Sequence, residues 1–180
     1  MASLTETLQT NKGKILSLWI DRTLDSYISS GFFKSSGDRF ANPVGANIRE
    51  GLTRLYDLLL AKSGPDKMIE PLDQVIRIRA VQEFSPSQAV APILELKWVL
   101  RQVLAGRKTS RPPAVELDDF DCDVDKMALL AFDMYTECRE LLYRNRVHEL
   151  KSGRSVLTDS ACASALAGNQ KNNCTGSVIG

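Results

Sequence analysis

The side chains that most invite a chemical reading are acidic. Glu116, Asp118, Asp119, Asp121, Asp123 and Asp125 are crowded together within ten residues early in the second half of the chain. Carboxylates at alternate positions of a loop are how a calcium site gathers hard oxygen ligands. An EF-hand loop begun at Asp119 would need glycine where Val124 stands and glutamate where Leu130 stands. Begun at Asp121, it meets Lys126 and Phe132 at those two positions. The better reading is electrostatic: carboxylates at the start of a helix face the positive end of its dipole.

His148 is the only histidine, which removes Ser-His-Asp triads and multi-histidine zinc sites. Haem needs an axial ligand facing its pocket. In a globin arrangement that ligand lies on a helix before the last one, and the segment 86–105 contains no histidine. No cofactor is expected. Cys122, Cys138, Cys162 and Cys174 show no CxxC pairing, which suits a reducing cytoplasm. Cys122 and Cys138 share one helix and point about 160° apart at 100° per residue, so they cannot bridge or share a metal. Cys162 and Cys174 are placed to be exposed and oxidisable. Gly45 in NPVGAN is followed by neither GxGxxG nor a Walker lysine, so it is no phosphate loop. No nucleophile has a recognisable base, and the chain does not read as an enzyme.

Composition sets the outer limits. The 180 residues are 43% hydrophobic and 25% charged, with 23 Lys plus Arg against 22 Asp plus Glu. That is an ordinary globular balance, and a net charge of +1 gives no basic excess for nucleic acid. No apolar run approaches the roughly 20 residues that span a bilayer, so no membrane insertion is expected. The opening residues lack a signal-peptide layout.

The elements that must position these groups are helices. Ser3 and Glu6 have capping-box spacing for a short helix over 3–12. The next runs from Gly13 to Ser29, with Ile15, Leu16, Trp19, Ile20, Thr23, Leu24, Tyr27 and Ile28 on one face and Gly31 as its stop. Asn42 caps a helix that begins at Pro43. Its buried stripe is Ile48, Leu52, Leu55, Tyr56 and Leu59, its end (58–60) is apolar nearly all round, and Ser-Gly-Pro at 63–65 stops it. A helix from Pro71 to Gln82 carries Leu72, Val75, Ile76 and Arg79 on one side. Ser85, Pro86 and Gln88 begin another that closes at Gly106, with Pro92 set to kink it. Trp19 and Trp98 are core candidates. Residues 106–114 read as a linker.

The last helix is expected over Asp118–Ser152. Its seam reads Met127, Ala131, Met134, Cys138 and Leu141, continued by Asn145 and His148, with Phe132, Tyr135 and Leu142 widening it. At 1.5 Å per residue it is roughly 50 Å long, more than the ~40 Å diameter of a domain this size. Its end should therefore overhang. Leu141, Asn145, Val147, His148 and Leu150 become the candidate interface or pocket residues, for a second copy or another protein. His148 has a plainer reading as an exposed cation at a helix C-terminus. Residues 154–180 turn to Ser, Ala, Gly and Asn and read as a flexible tail after a domain over 1–153.

Three stretches carry a family resemblance: DRFANPVGANIREGL, IRIRAVQEFSPSQAVAPILELKWVL and ALLAFDMYTECRELLYRNRVHELK. Together they resemble the RsbRD N-terminal domain family, named after a co-antagonist of the stress-signalling kinase RsbT. The resemblance implies an all-α, single-domain, globin-like bundle without haem, acting as a dimeric input domain. Such domains usually precede a STAS output domain, and the 29 residues after Lys151 are too few for one. Stand-alone relatives accompany a membrane redox complex linked to sulfite reduction in sulfate-reducing bacteria, which implies an accessory role. Two functions follow: a regulatory module working through protein contacts, with a homodimer and a signalling or redox-complex partner, or a sensor holding an apolar molecule between its helices. A pocket larger than about 300 Å³ favours the second.

Overall fold

A computed structural model describes residues 3–35, 39–82, 84–105 and 114–152. These residues form α1 (Leu4–Thr10), α2 (Lys12–Asp25), α3 (Ser30–Ser35), α4 (Pro43–Leu60), α5 (Pro65–Val81), α6 (Pro86–Ala105) and α7 (Ala114–Lys151). No strand occurs among them. The fold is all-α, as the periodicity predicts. The predicted tail, Cys162, Cys174 and all but the last residue of the predicted linker lie outside the described residues.

Three helices start where side-chain chemistry places them. Ser3 Oγ accepts the Glu6 N–H and Glu6 returns a carboxylate to the Ser3 N–H, both at 3.2 Å. Asn42 Oδ1 accepts the Gly45 N–H at 2.8 Å, with Pro43 at the first helical position. Ser85 and Gln88 exchange the same reciprocal pair of bonds ahead of α6. Each pair satisfies donors that the first turn of a helix otherwise leaves empty. Asn42 does more, because its Nδ2 donates to the Phe33 carbonyl at the end of α3. Arg49 serves the Phe33 and Lys34 carbonyls as well.

Elsewhere the boundaries move. α2 stops at Asp25, where the N–H groups of Ser26 and Tyr27 bond three residues back instead of four. Gly31 therefore stops nothing and sits inside α3, while Ile28 falls past the helix end and is fully exposed. α5 begins at Pro65, six residues before Pro71. Both prolines suit a helix start; Gly64–Pro65 is the one used, and Pro71 is buried inside the helix. Leu59 is buried, whereas Leu58 and Leu60 are only partly covered. Trp19 is fully buried, but Trp98 is 43% exposed beneath the Arg22 guanidinium, 4.2 Å from its ring.

The core forms where α2, α4, α5 and α6 meet, around Trp19, Ile48, Leu52, Tyr56, Leu72 and Ile93. Close approach of α4 to α5 depends on Gly51. A Cβ there would lie 2.8 Å from Val75 Cγ2 and 3.0 Å from the Pro71 carbonyl oxygen. α7 begins at Ala114, four residues before the sequence reading put it, and buries Phe120, Val124, Met127, Ala131 and Tyr135. Met134 and Cys138 are partly covered, and the buried seam ends there: Leu141 is exposed. Phe132 and Leu142, expected to widen that seam, are exposed too. Residues from Leu142 onward belong to a second unit. Among the described residues, no helix is long and apolar enough to cross a membrane.

Candidate functional site

The acidic run is spread along the first turns of α7. Only Glu116 occupies the first turn, where it accepts the Leu4 N–H at 2.7 Å and so completes the start of α1. Asp121 pairs with Arg101 and Asp125 with Lys97, the latter at 2.5 Å. The Asp121 carboxylate raises the Arg101 pKa by hydrogen bonding. Asp123 holds Lys126 one turn along the same helix. Two cations four apart on α6 thus face two carboxylates four apart on α7. That matched spacing is visible in the sequence, and it was missed because the acids were assigned to a helix start. Among the described residues, no three His, Cys, Asp or Glu side chains gather as a metal site.

The five candidate interface residues are all exposed. They do not share one face. Along a helix of 100° per residue, Asn145 and His148 keep the i, i+4, i+7 register begun at Leu141. Val147 and Leu150 are centred about 160° away from Asn145 and His148, and Tyr143 falls beside them at i−4 from Val147. Tyr143, Val147 and Leu150 are 61%, 47% and 60% exposed. In the first unit, Leu129 and Phe132 on α7 are exposed as well.

A cleft of about 650 Å³ opens where the end of α4 and the start of α5 face α7. Leu59, Met68 and Met127 are its buried lining, and Lys62, Asp119, Cys122 and Lys126 stand at its exposed edge. Lys62 has φ 48°, a left-handed conformation that normally selects glycine. The Lys62 and Ser63 N–H groups bond the Leu59 and Leu58 carbonyls, the pattern of a Schellman closure.

Sequence reasoning passed over a second polar centre. Arg79 was placed on the apolar side of its helix, and there it is: completely buried. A charged residue in register with Leu72, Val75 and Ile76 was the available signal. The guanidinium carbon lies 4.2 Å from the Phe84 ring centroid and 5.0 Å from that of Tyr27, which meet edge to face. Nη2 donates to the Gln88 carbonyl at 2.8 Å. Burial lowers the Arg79 pKa, offset in part by Tyr27, and burial raises that of Tyr27. Around this centre, Tyr135 Oη donates to the Phe84 carbonyl and Arg139 to that of Ala80. Phe84, Ser85 and Tyr135, from two of the sequence motifs that suggested a family, therefore meet around the junction of α5 and α6.

Residues 13–150 match the RsbT co-antagonist protein RsbRD N-terminal domain. The chain belongs to this family. Membership covers all of α3 to α6 and all but one residue of α2 and of α7, so both polar centres and the exposed end of α7 are features of an RsbRD N-terminal domain. It places the chain among regulatory, signalling-associated modules. No curated protein and no solved structure matches it.

Proposed function

We propose that this RsbRD N-terminal domain is a non-catalytic regulatory module of the globin-like, haem-free kind, working in the cytoplasm through protein contacts and pairing with a second copy of itself. The supporting observation is the exposed apolar set Tyr143, Val147 and Leu150 on α7. In the sequence these three stand at i, i+4 and i+7, the spacing that keeps apolar groups on one helix face. Symmetric pairing is the commonest assembly of soluble proteins. Light scattering of the full chain across micromolar concentrations tests it: a dimer that Leu150→Glu converts to a monomer is the expected result. A monomer throughout, unaffected by Leu150→Glu, removes self-association. Capture with tagged chain from the native host then tests the remaining partner readings, a signalling protein or a sulfite-reduction-linked membrane redox complex.

A second reading is favoured by the cleft beside α7. At about 650 Å³ it falls in the size range of small-molecule sites, and its buried lining suits an apolar ligand. It sits at the α4–α5 turn, away from the middle helices where the sequence reading looked for a pocket. Displacement of an environment-sensitive apolar dye, lost in Met127→Lys, would support a sensor role; dye that never binds the folded chain would end it.

A further inference from the structure

Arg101 and Lys97 of α6 pair with Asp121 and Asp125 of α7, so numbers fall along one helix as they rise along the other. The two helices are antiparallel neighbours. Carried one turn further, the same register sets Leu94 of α6 beside Leu129 of α7, with Phe132 the next residue on that side. Leu94, Leu129 and Phe132 are all exposed, as is Trp98, one turn from Leu94. The seam between α6 and α7 thus changes along its length, from ion pairs to apolar side chains without cover.

Apolar groups exposed singly need no explanation, but a contiguous set rimmed by polar groups marks a contact surface. Trp98 is the fixed point of this one. The Arg22 guanidinium lies 4.2 Å over its ring, and Glu95 holds Arg22 through two bonds of 3.1 and 3.2 Å. A tryptophan held in this way loses little further freedom when a partner covers it. The groove between two helix ridges admits a third helix that brings apolar residues at i, i+3, i+4 and i+7.

The charges of the rim say which helix fits. Arg22, Lys97 and Arg101 are already answered by Glu95, Asp125 and Asp121. On the other flank Asp133 and Glu137 are exposed, and among the described residues neither has an ion-pair partner. They stand four apart, where like charges repel along a helix. Asp133 lies about 40° around α7 from Leu129, on the side away from α6, and Glu137 about 40° beyond it.

We propose that the α6–α7 face binds a basic amphipathic helix of another protein. Its apolar stripe covers Leu94, Trp98, Leu129 and Phe132, and its lysines or arginines run along Asp133 and Glu137. The same two carboxylates disfavour an anionic lipid surface. Such a face rests on the protein-contact reading above and gives it a location; self-pairing through Tyr143, Val147 and Leu150 is not required.

The test titrates the full chain with a synthetic helical peptide that has leucines at i, i+3, i+4 and i+7, lysines on its flanks and no tryptophan. A second peptide carries glutamate in place of each lysine. Calorimetry and tryptophan emission read the binding. The lysine peptide should bind saturably and about ten-fold more tightly than the glutamate peptide. It should move the emission to shorter wavelength, a shift that Trp98→Phe abolishes because Trp19 is already buried. Leu129→Ser with Phe132→Ser should weaken the lysine peptide about ten-fold, and Asp133→Lys with Glu137→Lys should reverse the preference. All four positions are exposed, and circular dichroism unchanged from wild type checks that the variants fold. A lysine peptide that does not bind overturns the face, as do peptides that bind equally well or a preference that survives the charge reversal. So does a wild-type dimer that Leu129→Ser turns into a monomer, which gives the face to a second copy. A host protein captured equally by wild type and Leu129→Ser also overturns this face, and leaves the protein-contact reading standing.

Discussion

Arg79 Nη2 reaches the Gln88 carbonyl oxygen at 2.8 Å, and Gln88 is the residue whose helical donor is missing. Four residues on stands Pro92, which has no N–H to give back. An arginine of α5 thus occupies the acceptor that a proline in α6 leaves empty. Pro92 is tied in turn to α2, because Trp19 Nε1 donates to its carbonyl at 2.7 Å. The interior proline that ought to weaken α6 becomes the place where three helices are bonded together.

A comparable local dependence links Asn42 and Gly45, and it yields a sign change under mutation. A Cβ on Gly45 would fall 2.7 Å from Asn42 Oδ1 and 2.8 Å from Cγ, so alanine there evicts the cap. Asn42→Ala should cost about 1–2 kcal/mol, from the lost cap and the lost bond to the Phe33 carbonyl, which keeps Arg49 as its donor. Gly45→Ala should also destabilise the wild type. In the Asn42→Ala background, however, the same change should be neutral or stabilise by up to ~1 kcal/mol, since alanine is the better helix former. Urea unfolding of the four proteins measures the coupling, and simple additivity would show that the cap is not what Gly45 protects.

How much of this could be read in advance follows from how local each signal is. Caps at Ser3, Asn42 and Ser85 are written within four residues, and all three stand. The stripes of α4 and α5 are periodic and all buried. Helix ends fared worse where two stop or start signals competed: Pro65 against Pro71, and Ala114 against the acids from Asp118. Choosing between them needs the partner helix, which no local pattern contains. The same holds for Arg79, whose register was legible and whose surroundings were not. Leu141, Asn145 and His148 continue the register of the seam, whereas Val147 and Leu150, read as lying just off it, fall about 160° away from Asn145 and His148 on the helical wheel.

Lys62 offers a direct measure of backbone strain. Its φ of 48° costs an L side chain roughly 1 kcal/mol relative to glycine. Lys62→Gly should therefore raise stability by up to about 1 kcal/mol, slightly offset by a more flexible unfolded chain. A shift of the urea midpoint upward at unchanged slope is the expected observation. A loss of stability would mean that the lysine side chain contributes more than its conformation costs.

Alkaline pH should destabilise the fold through its buried phenols. Tyr27 and Tyr56 are 5% and 0% exposed, and burial raises both pKa values above the ordinary 10.0. Unfolded chains lose these protons near pH 10 while the folded chain retains them. The stabilisation is thus complete below about pH 10 and lost as pH rises beyond it, by roughly 1.4 kcal/mol per unit for each phenol. Tyr56→Phe, which also gives up a 3.2 Å bond to the Leu8 carbonyl, should lower stability at pH 8 yet flatten its decline between pH 10 and 11. An equally steep decline in the variant would place the alkaline sensitivity elsewhere.

The proposed pairing makes a prediction about faces as well as about association. On the last turns of α7, Val147 and Leu150 share a side with Tyr143, and Asn145 and His148 point about 160° away. A glutamate introduced into an apolar helix–helix seam is desolvated without a partner, and two symmetry-related copies meet the same cost twice. Val147→Glu should therefore dissociate the dimer at concentrations where wild type is fully paired. Asn145→Glu and His148→Glu, on the other side, should leave the association constant within about three-fold of wild type, since solvated surface charges act weakly. Sedimentation velocity on the three variants reads the difference directly. Should Asn145→Glu break the dimer and Val147→Glu leave it intact, the seam runs through the polar face, and Asn145 becomes the residue that fixes its register.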